Sequence, residues 1–394
     1  MKVLLANFTK MVNDSGGMAK VTCNMANELD ARGYDVSLVY SDEKKGEFYY
    51  EISRNVKTFD LRHLGNENIK FPLKLKIKRE FFRLVDKEKS RSVLIEFEKQ
   101  YLVEKCKQIL EIINPDVIIS YNPGTSAVLL CMLDTKVPVI TMSHGDPEDY
   151  FKFYPKESIR AVEKSTVNQV LMPSFEQHIK NHLPNANVVT IANAIPQYEC
   201  SADLDTDKKI YKIIFVGRLT KNHKRPHLLI QAFSEIAEKY PDWILELWGA
   251  KDREIYYKEL EYLIKKSRLQ NRVFLKGTTN QVQDVLKQAD IFAFPSAFEG
   301  FGMALAEGMS VGLPAVGYKN CPAVNELIKD GETGFLCDDG VRPLSKVLDK
   351  LMGDKALRIR MGKAAKADMA QFAPEKIWDK WEEIISTVIE NKTN

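Results

Sequence analysis

The strongest constraint on the fold of this chain is a repeating alternation of short apolar runs with longer helical patterns. The runs are five to seven residues long and rich in β-branched residues, which is typical of buried strands. Strands that alternate with helices form parallel sheets. The predicted strands are 2–7, 35–40, 116–121, 137–142 and 168–173, then 212–217, 243–249, 272–277, 291–296 and 333–337. The predicted fold class is therefore α/β, with two successive parallel-sheet units.

The polar segment 197–209 interrupts this alternation once. Because 394 residues exceed the size of one ordinary core, we interpret this segment as a linker between domains. Its Asp203 and Asp205 form an Asp-x-Asp pattern, but no strand precedes them, so we expect a solvated turn rather than a metal site. The predicted divisions are a first domain at 1–196, a second at 210–373 and a closing amphipathic helix at 374–394.

Composition narrows the class of protein. A net charge of +3 is too small to indicate nucleic-acid binding. The six cysteines form no CxxC pair and no Cys/His cluster, which predicts neither a disulfide framework nor a zinc site and fits a reducing compartment. No run reaches the roughly 18 apolar residues of a membrane span, and the apolar start is too short for a signal peptide. We expect a cytoplasmic, soluble protein.

Two acids in FEGFGMALAEGMSVGLP (298–314) are the first candidate site residues. Glu299 lies in a glycine-containing loop after a strand, and Glu307 lies in an apolar helical pattern. Burying a carboxylate costs on the order of several kcal/mol unless a hydrogen-bonding or ionic partner compensates for the lost water. Eight helical residues span roughly 12 Å, which suits the two ends of a long ligand such as a nucleotide sugar. The alternative to a ligand site is that the loop acid and the helix acid each have a structural partner within the protein.

The segment VGRLTKNHKRP (216–226) supplies two candidate cations. Arg218 follows the end of a strand, and Lys224 comes six residues later. A guanidinium fork and an ammonium both suit a pyrophosphate; an ordinary solvated turn is the alternative. Pro226 predicts a helix start, as does a capping box of Ser174 and Gln177 in the first domain.

The first domain offers two further candidates. Gly16 and Gly17, between the first strand and first helix, would let the backbone approach a ligand, although tight packing would also explain them. The spacing is not the G-x-G-x-x-G of a dinucleotide site. His144 follows the strand 137–142 and would face a ligand crevice; a structural or solvated histidine is the alternative.

Together these motifs resemble the retaining glycosyltransferases of family 4, which have the GT-B fold. The resemblance covers almost the whole chain and is most specific in GRLTKNHKRPHLLIQAF, ADIFAFPSAFEGFGMALAEGMSVGLPAV and VNELIKDGETGFL. One departure is EGMSVG, where the family more often has an alanine-rich run. The resemblance implies two Rossmann-like domains facing across a cleft, with the last helix returning to the first domain.

The resemblance also implies roles for the candidates. Arg218 and Lys224 would bind the donor diphosphate, Glu299 the transferred sugar, and Glu307 the ribose. His144 would lie near the donor sugar, and no metal or other cofactor is expected. The donor would be a nucleotide sugar, by default UDP-linked, and a hexose would pass with retention to a saccharide or lipid-linked acceptor in surface glycan synthesis. The implied catalytic set is Glu299, His144, Lys224 and Arg218; the implied donor-binding set is Gly16, Gly17, Arg218, Lys224, Glu299, Gly300, Phe301, Gly302, Met303, Ala304 and Glu307.

The segment 69–91 is strongly basic. It holds nine Lys or Arg residues against three acids, a local net charge of +6, with aromatic and aliphatic residues between them. This pattern suits peripheral contact with the anionic inner face of a cell membrane, and an ordinary basic surface helix explains it equally well. No recognised nucleic-acid module accompanies it.

Two other functions remain open on the sequence alone. One is a UDP-sugar 2-epimerase of the GT-B fold, which product analysis would distinguish from a transferase. The other is a non-catalytic sugar-nucleotide or scaffold protein, which would tolerate loss of Lys224 and Glu299. Both residues are present, and the spaced Glu299 and Glu307 favour transfer.

Overall fold

The computed structural model describes residues 1–14, 16–65 and 67–393. The chain forms two compact units. Unit 1 combines residues 1–192 with the chain from Trp378 onward, and unit 2 comprises Asn193–Ile377. Each unit has its own sheet and its own buried core.

Unit 1 is built on a seven-stranded sheet of order β3-β2-β1-β4-β5-β6-β7, in which every pairing is parallel. Its inner strands are buried along almost their whole length, as parallel sheets covered on both faces require. The strands are β1 (Lys2–Asn7), β2 (Asp35–Tyr40), β3 (Lys57–Asp60), β4 (Val117–Ser120), β5 (Val139–Met142), β6 (Val167–Val170) and β7 (Val188–Thr190).

Helices connect these strands. Most of them bury one face, and α2 and α3 pack on each other over a cluster that includes Leu75, Val93 and Phe97. The helices are α1 (Gly17–Ala31), α2 (Leu73–Val85), α3 (Lys87–Tyr101), α4 (Val103–Ile113), α5 (Pro123–Ala127), α6 (Glu148–Phe153), α7 (Lys156–Lys164) and α8 (Pro173–His182). A π-helical turn at Val128–Met132 continues α5.

Unit 2 has a six-stranded parallel sheet of order β10-β9-β8-β11-β12-β13. This order is that of a Rossmann-type sheet, and it places a topological switch point between β8 and β11. The elements are β8 (Tyr211–Val216), α9 (Pro226–Ile236), β9 (Trp243–Trp248), α10 (Glu254–Lys266), β10 (Val273–Gly277), α11 (Val282–Lys287), β11 (Ile291–Phe294), α12 (Met303–Ser310), β12 (Ala315–Tyr318), α13 (Val324–Leu327), β13 (Gly334–Cys337), α14 (Val341–Gly353) and α15 (Lys355–Met369).

The last helix, α16 (Pro374–Thr393), belongs to unit 1 from Trp378 onward. Its buried face includes Trp381 and Ile385. Arg32, at the end of α1, donates to the carboxylate of Asp379 over 2.9 Å and also to that of Glu382. The final segment of the chain therefore completes a unit whose other parts lie before residue 193.

The parallel α/β fold class is confirmed, as are all ten predicted strands, whose ends differ from the prediction by up to three residues. Helix α9 begins at Pro226 as predicted. The predicted capping box is wrong. Helix α8 begins at Pro173, because proline has no N–H to leave unbonded at a first helical position, and the Gln177 amide instead donates forward to Asn181.

The linker aspartates are exposed, as predicted for a solvated turn. The Asp203 carboxylate accepts a hydrogen bond from the Thr206 backbone over 3.1 Å, which closes the turn locally. No helix of the described residues combines the length and apolar character needed to cross a bilayer.

Candidate functional site

The carboxyl ends of β8, β9 and β10 each finish at a glycine with positive φ. Gly249 donates its N–H to the Gly277 carbonyl over 2.7 Å, and Gly217 donates to the Trp248 carbonyl over 2.9 Å. A Cβ on Gly249 would lie 2.0 Å from the Gly217 carbonyl oxygen, so no other residue fits there without moving the backbone. This edge of the sheet is thus bare main chain, where a ligand can come close.

The turn after β8 brings Lys224 back toward the sheet. Its backbone N–H donates to the Thr220 hydroxyl over 2.9 Å, which fixes the turn. Its ammonium lies 4.6 Å from the centre of the Phe294 ring and 2.6 Å from Glu299 Oε1. The cation and the carboxylate that the sequence singled out separately therefore form one ion pair.

Glu299 is only 8% exposed. Burial by itself would raise the pKa of this carboxyl group. The His223 imidazole, together with the charge and hydrogen bond of Lys224, outweighs the burial and holds the pKa of Glu299 below its ordinary value. The group is consequently an anion at neutral pH, and in the free protein its partner is Lys224.

His223 joins the two loops that carry this pair. The Ala297 N–H donates to the His223 carbonyl over 2.8 Å. The imidazole donates from Nε2 to the Phe298 carbonyl over 2.9 Å and lies 3.4 Å from Glu299 Oε1. Its ring stacks on Phe298, with centroids 4.2 Å apart and planes 3° from parallel. The sequence interpretation did not assign His223, although it immediately precedes Lys224.

Arg225 fixes the same turn from the other side. Its guanidinium donates to the carbonyls of Pro295 and Ser296 over 3.0 and 3.2 Å, and it pairs with Asp339 over 2.8 Å. It also lies 4.9 Å from the centre of the Tyr318 ring. Arg225 adopts a left-handed φ of 50°, which is unfavourable for a side-chain-bearing residue. The backbone strain is thus offset by contacts that anchor the Lys224 turn to the end of β11.

Helix α12 begins where the sequence predicted, at Met303, after Gly302 with a φ of 91°. Its first N–H groups have no earlier helical turn to receive them. Phe301 is buried, and its ring packs edge-on against Phe372. Only the backbone of Phe301 is therefore suited to a ligand, whereas Met303 and Ala304 remain half-buried.

Glu307 lies in the second turn of α12 and is 6% exposed. Burial and, after it, the charge of Glu307 together raise the pKa of Tyr198 to about 12. Tyr198, from the segment after unit 1, thus lies close enough to feel this carboxylate. No local pattern identified Tyr198, because its environment depends on a helix more than a hundred residues away.

The EGMS departure from the family pattern has a packing reason. A Cβ on Gly308 would lie 2.5 Å from the Phe292 ring of β11. The large aromatic residue on the strand therefore requires the small residue on α12, and the two together set the distance between helix and strand.

Arg218 differs from Lys224 in being exposed. No hydrogen bond or ion pair links its side chain to any residue in the described parts of the chain, while its carbonyl accepts from the Thr220 N–H over 2.8 Å. Its guanidinium is consequently free to meet an external anion at the end of β8.

In unit 1, Gly16 precedes the first residue of α1, which is Gly17. The Gly16 N–H donates to Asp14 over 3.0 Å. A Cβ on Gly17 would meet nothing within 4 Å. Tight packing, which the sequence left open as an explanation for this glycine, is therefore excluded within the described residues.

His144 follows β5, at the same sheet edge as the start of α1. Its ring lies parallel to that of Tyr121, with centroids 5.5 Å apart. Its Nε2 is buried and finds no partner among the described residues. Burial lowers the pKa of His144 to about 4, so the ring is neutral at pH 7. A buried, unsatisfied nitrogen at a strand end is unusual in a purely structural histidine.

Two family models match consecutive parts of the chain. "Glycosyltransferase Family 4" matches residues 15–196, and "Glycosyl transferases group 1" matches residues 198–368. The chain belongs to these glycosyltransferases. The two matches meet close to the boundary between the two structural units.

Curated relatives of this glycosyltransferase match over nearly its full length. An uncharacterized glycosyltransferase from Haemophilus influenzae is 24% identical, over 96% of this chain and 98% of its own. The amylovoran biosynthesis glycosyltransferase AmsD from Erwinia amylovora is 25% identical, over 95% and 97% respectively.

Solved structures share the fold of the glycosyltransferase. Sucrose-phosphate synthase from Thermosynechococcus elongatus superposes with a TM-score of 0.77 at 15% identity, covering 99% of both chains. A mutant of TarM from S. aureus, in complex with Fondaparinux, alpha-GlcNAc-glycerol and UDP, gives 0.74 at 16% identity, covering 98% of this chain and 100% of its own. The fold is GT-B.

One cavity of the glycosyltransferase lies apart from these residues. It has a volume of about 410 Å³ and is lined by the segment around Ser201–Asp205 and by α15, and none of the predicted site residues lines it.

Among the described residues, no group of three His, Cys, Asp or Glu side chains is placed to hold a metal ion.

Proposed function

We propose that this glycosyltransferase moves a hexose from a nucleotide sugar, with UDP as its nucleotide, to a saccharide or lipid-linked acceptor with retention of configuration. The observation that carries the proposal is the cluster at the switch point of unit 2. The ends of β8 and β11, the two strands flanking that point, carry the Lys224–Glu299 ion pair, the start of α12 and Arg218, whose side chain has no partner in the described ranges. Ligands of open α/β sheets bind there.

In this proposal two cations receive the donor diphosphate. Arg218 offers its free guanidinium, and Lys224 exchanges its contact with Glu299 for the phosphate oxygens. Their positive charge stabilises the nucleoside diphosphate as it departs. The backbone N–H groups of Gly302, Met303 and Ala304, next to Gly300 and Phe301, complete the anion site.

The carboxylates would hold the two ends of the donor. Glu299 accepts hydrogen bonds from hydroxyls of the transferred sugar once Lys224 turns to phosphate. Glu307, near Tyr198, accepts from the ribose. Because Lys224 and His223 keep the pKa of Glu299 low, it acts as an acceptor of hydrogen bonds and not as a proton donor at neutral pH.

The residues of unit 1 would serve sugar and acceptor. The neutral ring of His144 can donate or accept a hydrogen bond through Nε2, which has no partner in the described parts of the chain. The open space over Gly17, with Gly16 before it, leaves room for donor phosphate or acceptor. The acceptor hydroxyl would attack the anomeric carbon on the face from which the diphosphate leaves, giving retention.

The finer details of the proposal each have their own support. UDP is proposed as the nucleotide because the TarM complex contains UDP. Metal independence is proposed because Arg218 and Lys224 can neutralise the diphosphate on their own. A surface polysaccharide or its lipid-linked precursor is proposed as the acceptor because AmsD is named for amylovoran biosynthesis. The enzyme would act on the cytoplasmic side of the membrane and would contact its anionic surface through residues 69–91.

The first experiment measures thermal stabilisation by UDP-, GDP- and ADP-hexoses in EDTA. A ligand at 100 times its Kd adds about 2.7 kcal/mol to the free energy of unfolding. Arg218→Ala should lose the shift without lowering the melting temperature of the free protein, because the guanidinium has no partner to leave behind among the described residues. Lys221→Ala is the matched control, since Lys221 lies in the same turn but pairs with exposed Glu259.

Each outcome of this experiment bears on a different part of the proposal. A shift with one nucleotide series, lost in Arg218→Ala and kept in Lys221→Ala, would support the site and identify the base. A shift that appears only with added divalent cation would contradict metal independence. Equal shifts in both variants would remove Arg218 from the donor site.

A second experiment addresses the reaction. Incubating donor and acceptor and determining the anomeric configuration of the product by NMR tests retention. The same spectra would reveal an epimerised sugar nucleotide formed without acceptor, which is the product that an epimerase would make.

A further inference from the structure

Helix α2 has two apolar faces, although a surface helix needs only one. The inner face packs on α3 through buried Leu75 and half-buried Phe82. The second face, here called the outer face, points away from that core. The outer face consists of Leu73, Ile77, Phe81, Leu84 and Val85, which are between 62% and 88% exposed.

Helix geometry explains how these residues share one surface. Each residue advances about 100° around the axis, so the outer face covers an arc of about 120°, and Phe82 and Leu75 lie roughly 60–80° beyond its Val85 margin. Among the described residues, thirteen large hydrophobic side chains are exposed, and five belong to this single helix. Such concentration marks an interaction surface, whereas scattered exposed apolar residues need no explanation.

Positive charge lies within and beside the outer face. By the same geometry, Lys78 borders the Val85 margin and Lys74 lies inside the arc, between Phe81 and Val85. Glu80 borders the Leu73 margin, with Lys76 and Arg83 beyond it. The only acid of the helix, Glu80, is already engaged by Arg79 and Arg83 over 3.1 and 3.4 Å.

Much of this charge has no internal partner. Lys70, Lys74 and Lys76 form no ion pair with any residue in the described ranges, although Lys78 pairs with Glu96 over 2.7 Å. These lysines are exposed. Their charge is therefore available to an external anion.

We propose that the outer face of α2 docks onto the surface of an anionic lipid bilayer. An apolar strip accompanied by basic residues matches a bilayer boundary, where acyl chains meet anionic headgroups. The helix lies in the plane of the interface, with Ile77 and Phe81 entering the acyl region and the lysines at headgroup level. The inference rests on the proposed function only in that a lipid-linked acceptor gives the contact a purpose.

The test uses the full chain and vesicle flotation without donor or acceptor. Vesicles of phosphatidylglycerol and phosphatidylcholine in equal parts should carry the protein, and vesicles of phosphatidylcholine alone should carry much less. Ile77→Glu should lower the partition coefficient at least tenfold. Ile255→Glu is the matched control, because Ile255 is an isoleucine of unit 2 that is 77% exposed; it should bind like the parent.

Charge is tested separately. Lys74→Gln together with Lys76→Gln should lower binding to anionic vesicles about 30-fold, since each basic residue near such a surface contributes about fivefold. Added salt should weaken the parent in the same direction.

Three results would overturn the inference. They are absence of flotation with anionic vesicles, equal flotation of Ile77→Glu and Ile255→Glu, or a parent dimer in light scattering that Ile77→Glu dissociates while no vesicles bind. The last result would assign the outer face to a second copy of the chain. Flotation is measured without substrate and is therefore independent of the activity assay. A protein that floats but shows no transferase activity would refute the proposed reaction and still support the docking surface.

Discussion

Replacing Lys224 by methionine should destabilise unit 2 more than replacing its partner Glu299 by glutamine. The methionine variant leaves a carboxylate that is 8% exposed, with the His223 imidazole still 3.4 Å away. Removing one member of a buried pair costs about 3–5 kcal/mol, and the neighbouring imidazole should keep the cost at the lower end of this range. Glutamine instead leaves an ammonium that is 16% exposed and lies over Phe294, at a cost of about 1–2 kcal/mol.

The double variant buries neither charge and should cost only about 1–2 kcal/mol. The coupling energy of Lys224 and Glu299 is then about 3 kcal/mol, at the upper end of the range seen for contacting groups. Lys221 and Glu259 provide the control cycle. Their atoms are also 2.6 Å apart, but the side chains are 56% and 46% exposed, so their coupling should stay below about 1 kcal/mol.

Amide hydrogen exchange followed by mass spectrometry suits this measurement, because two compact units need not unfold together. Peptides from β8 and β11 report unit 2, where about 3 kcal/mol corresponds to exchange faster by more than a hundredfold. The pKa of Glu299 is lowered in the folded state. The coupling is therefore present above the unfolded pKa of about 4.3 and is lost as the pH falls through the lower folded value. Equal coupling in both cycles would refute the buried ion pair.

Three further predictions follow from single contacts. Arg225→Gly relieves the left-handed backbone but releases the carbonyls of Pro295 and Ser296, so kcat/KM should fall at least tenfold with the donor found in the panel. Asp339→Asn keeps these carbonyl bonds and should change kcat/KM far less. Gly308→Ala should destabilise unit 2 by about 1–3 kcal/mol, and adding Phe292→Leu should recover part of this in thermal melts. His144 has a folded pKa of about 4, below its unfolded value of about 6.5; stability should be complete above about pH 6.5 and fall by up to about 3 kcal/mol toward pH 4, with a flatter profile in His144→Asn.

The sequence predicted the strands that are buried and missed those whose burial or length gives little signal. β3 and β7 are the two edges of the first sheet, and neither contains a fully buried residue. Their sequences, KTFD and VVT, show no extended apolar run. β12 is an inner strand of the second sheet and is fully buried, but it has only four residues. One of them is Gly317, where an added Cβ would collide with Val324. A strand held by such packing has no local pattern to reveal it.

The site was predictable residue by residue but not as an arrangement. Lys224 and Glu299 each stood out from their local motifs, and the sequence assigned both to a ligand. The structure of the free protein pairs them with each other across 75 positions. Arg225 was missed for the same reason, because its side-chain partners lie 70 to 114 positions away. Local patterns identify chemical groups, whereas their partners depend on the tertiary fold.

The division of unit 1 between the two ends of the chain sets an order of events during biosynthesis. When the ribosome has finished residue 192, the surface that receives Trp381, Ile385 and Val388 is still uncovered, because these residues follow all of Asn193–Ile377. At about 5–20 residues per second, that delay is about 10–40 s. Unit 2 can fold during this time, while the nascent unit 1 waits with an apolar surface open to chaperones. A polypeptide truncated before Trp378 would leave that apolar surface of unit 1 permanently uncovered.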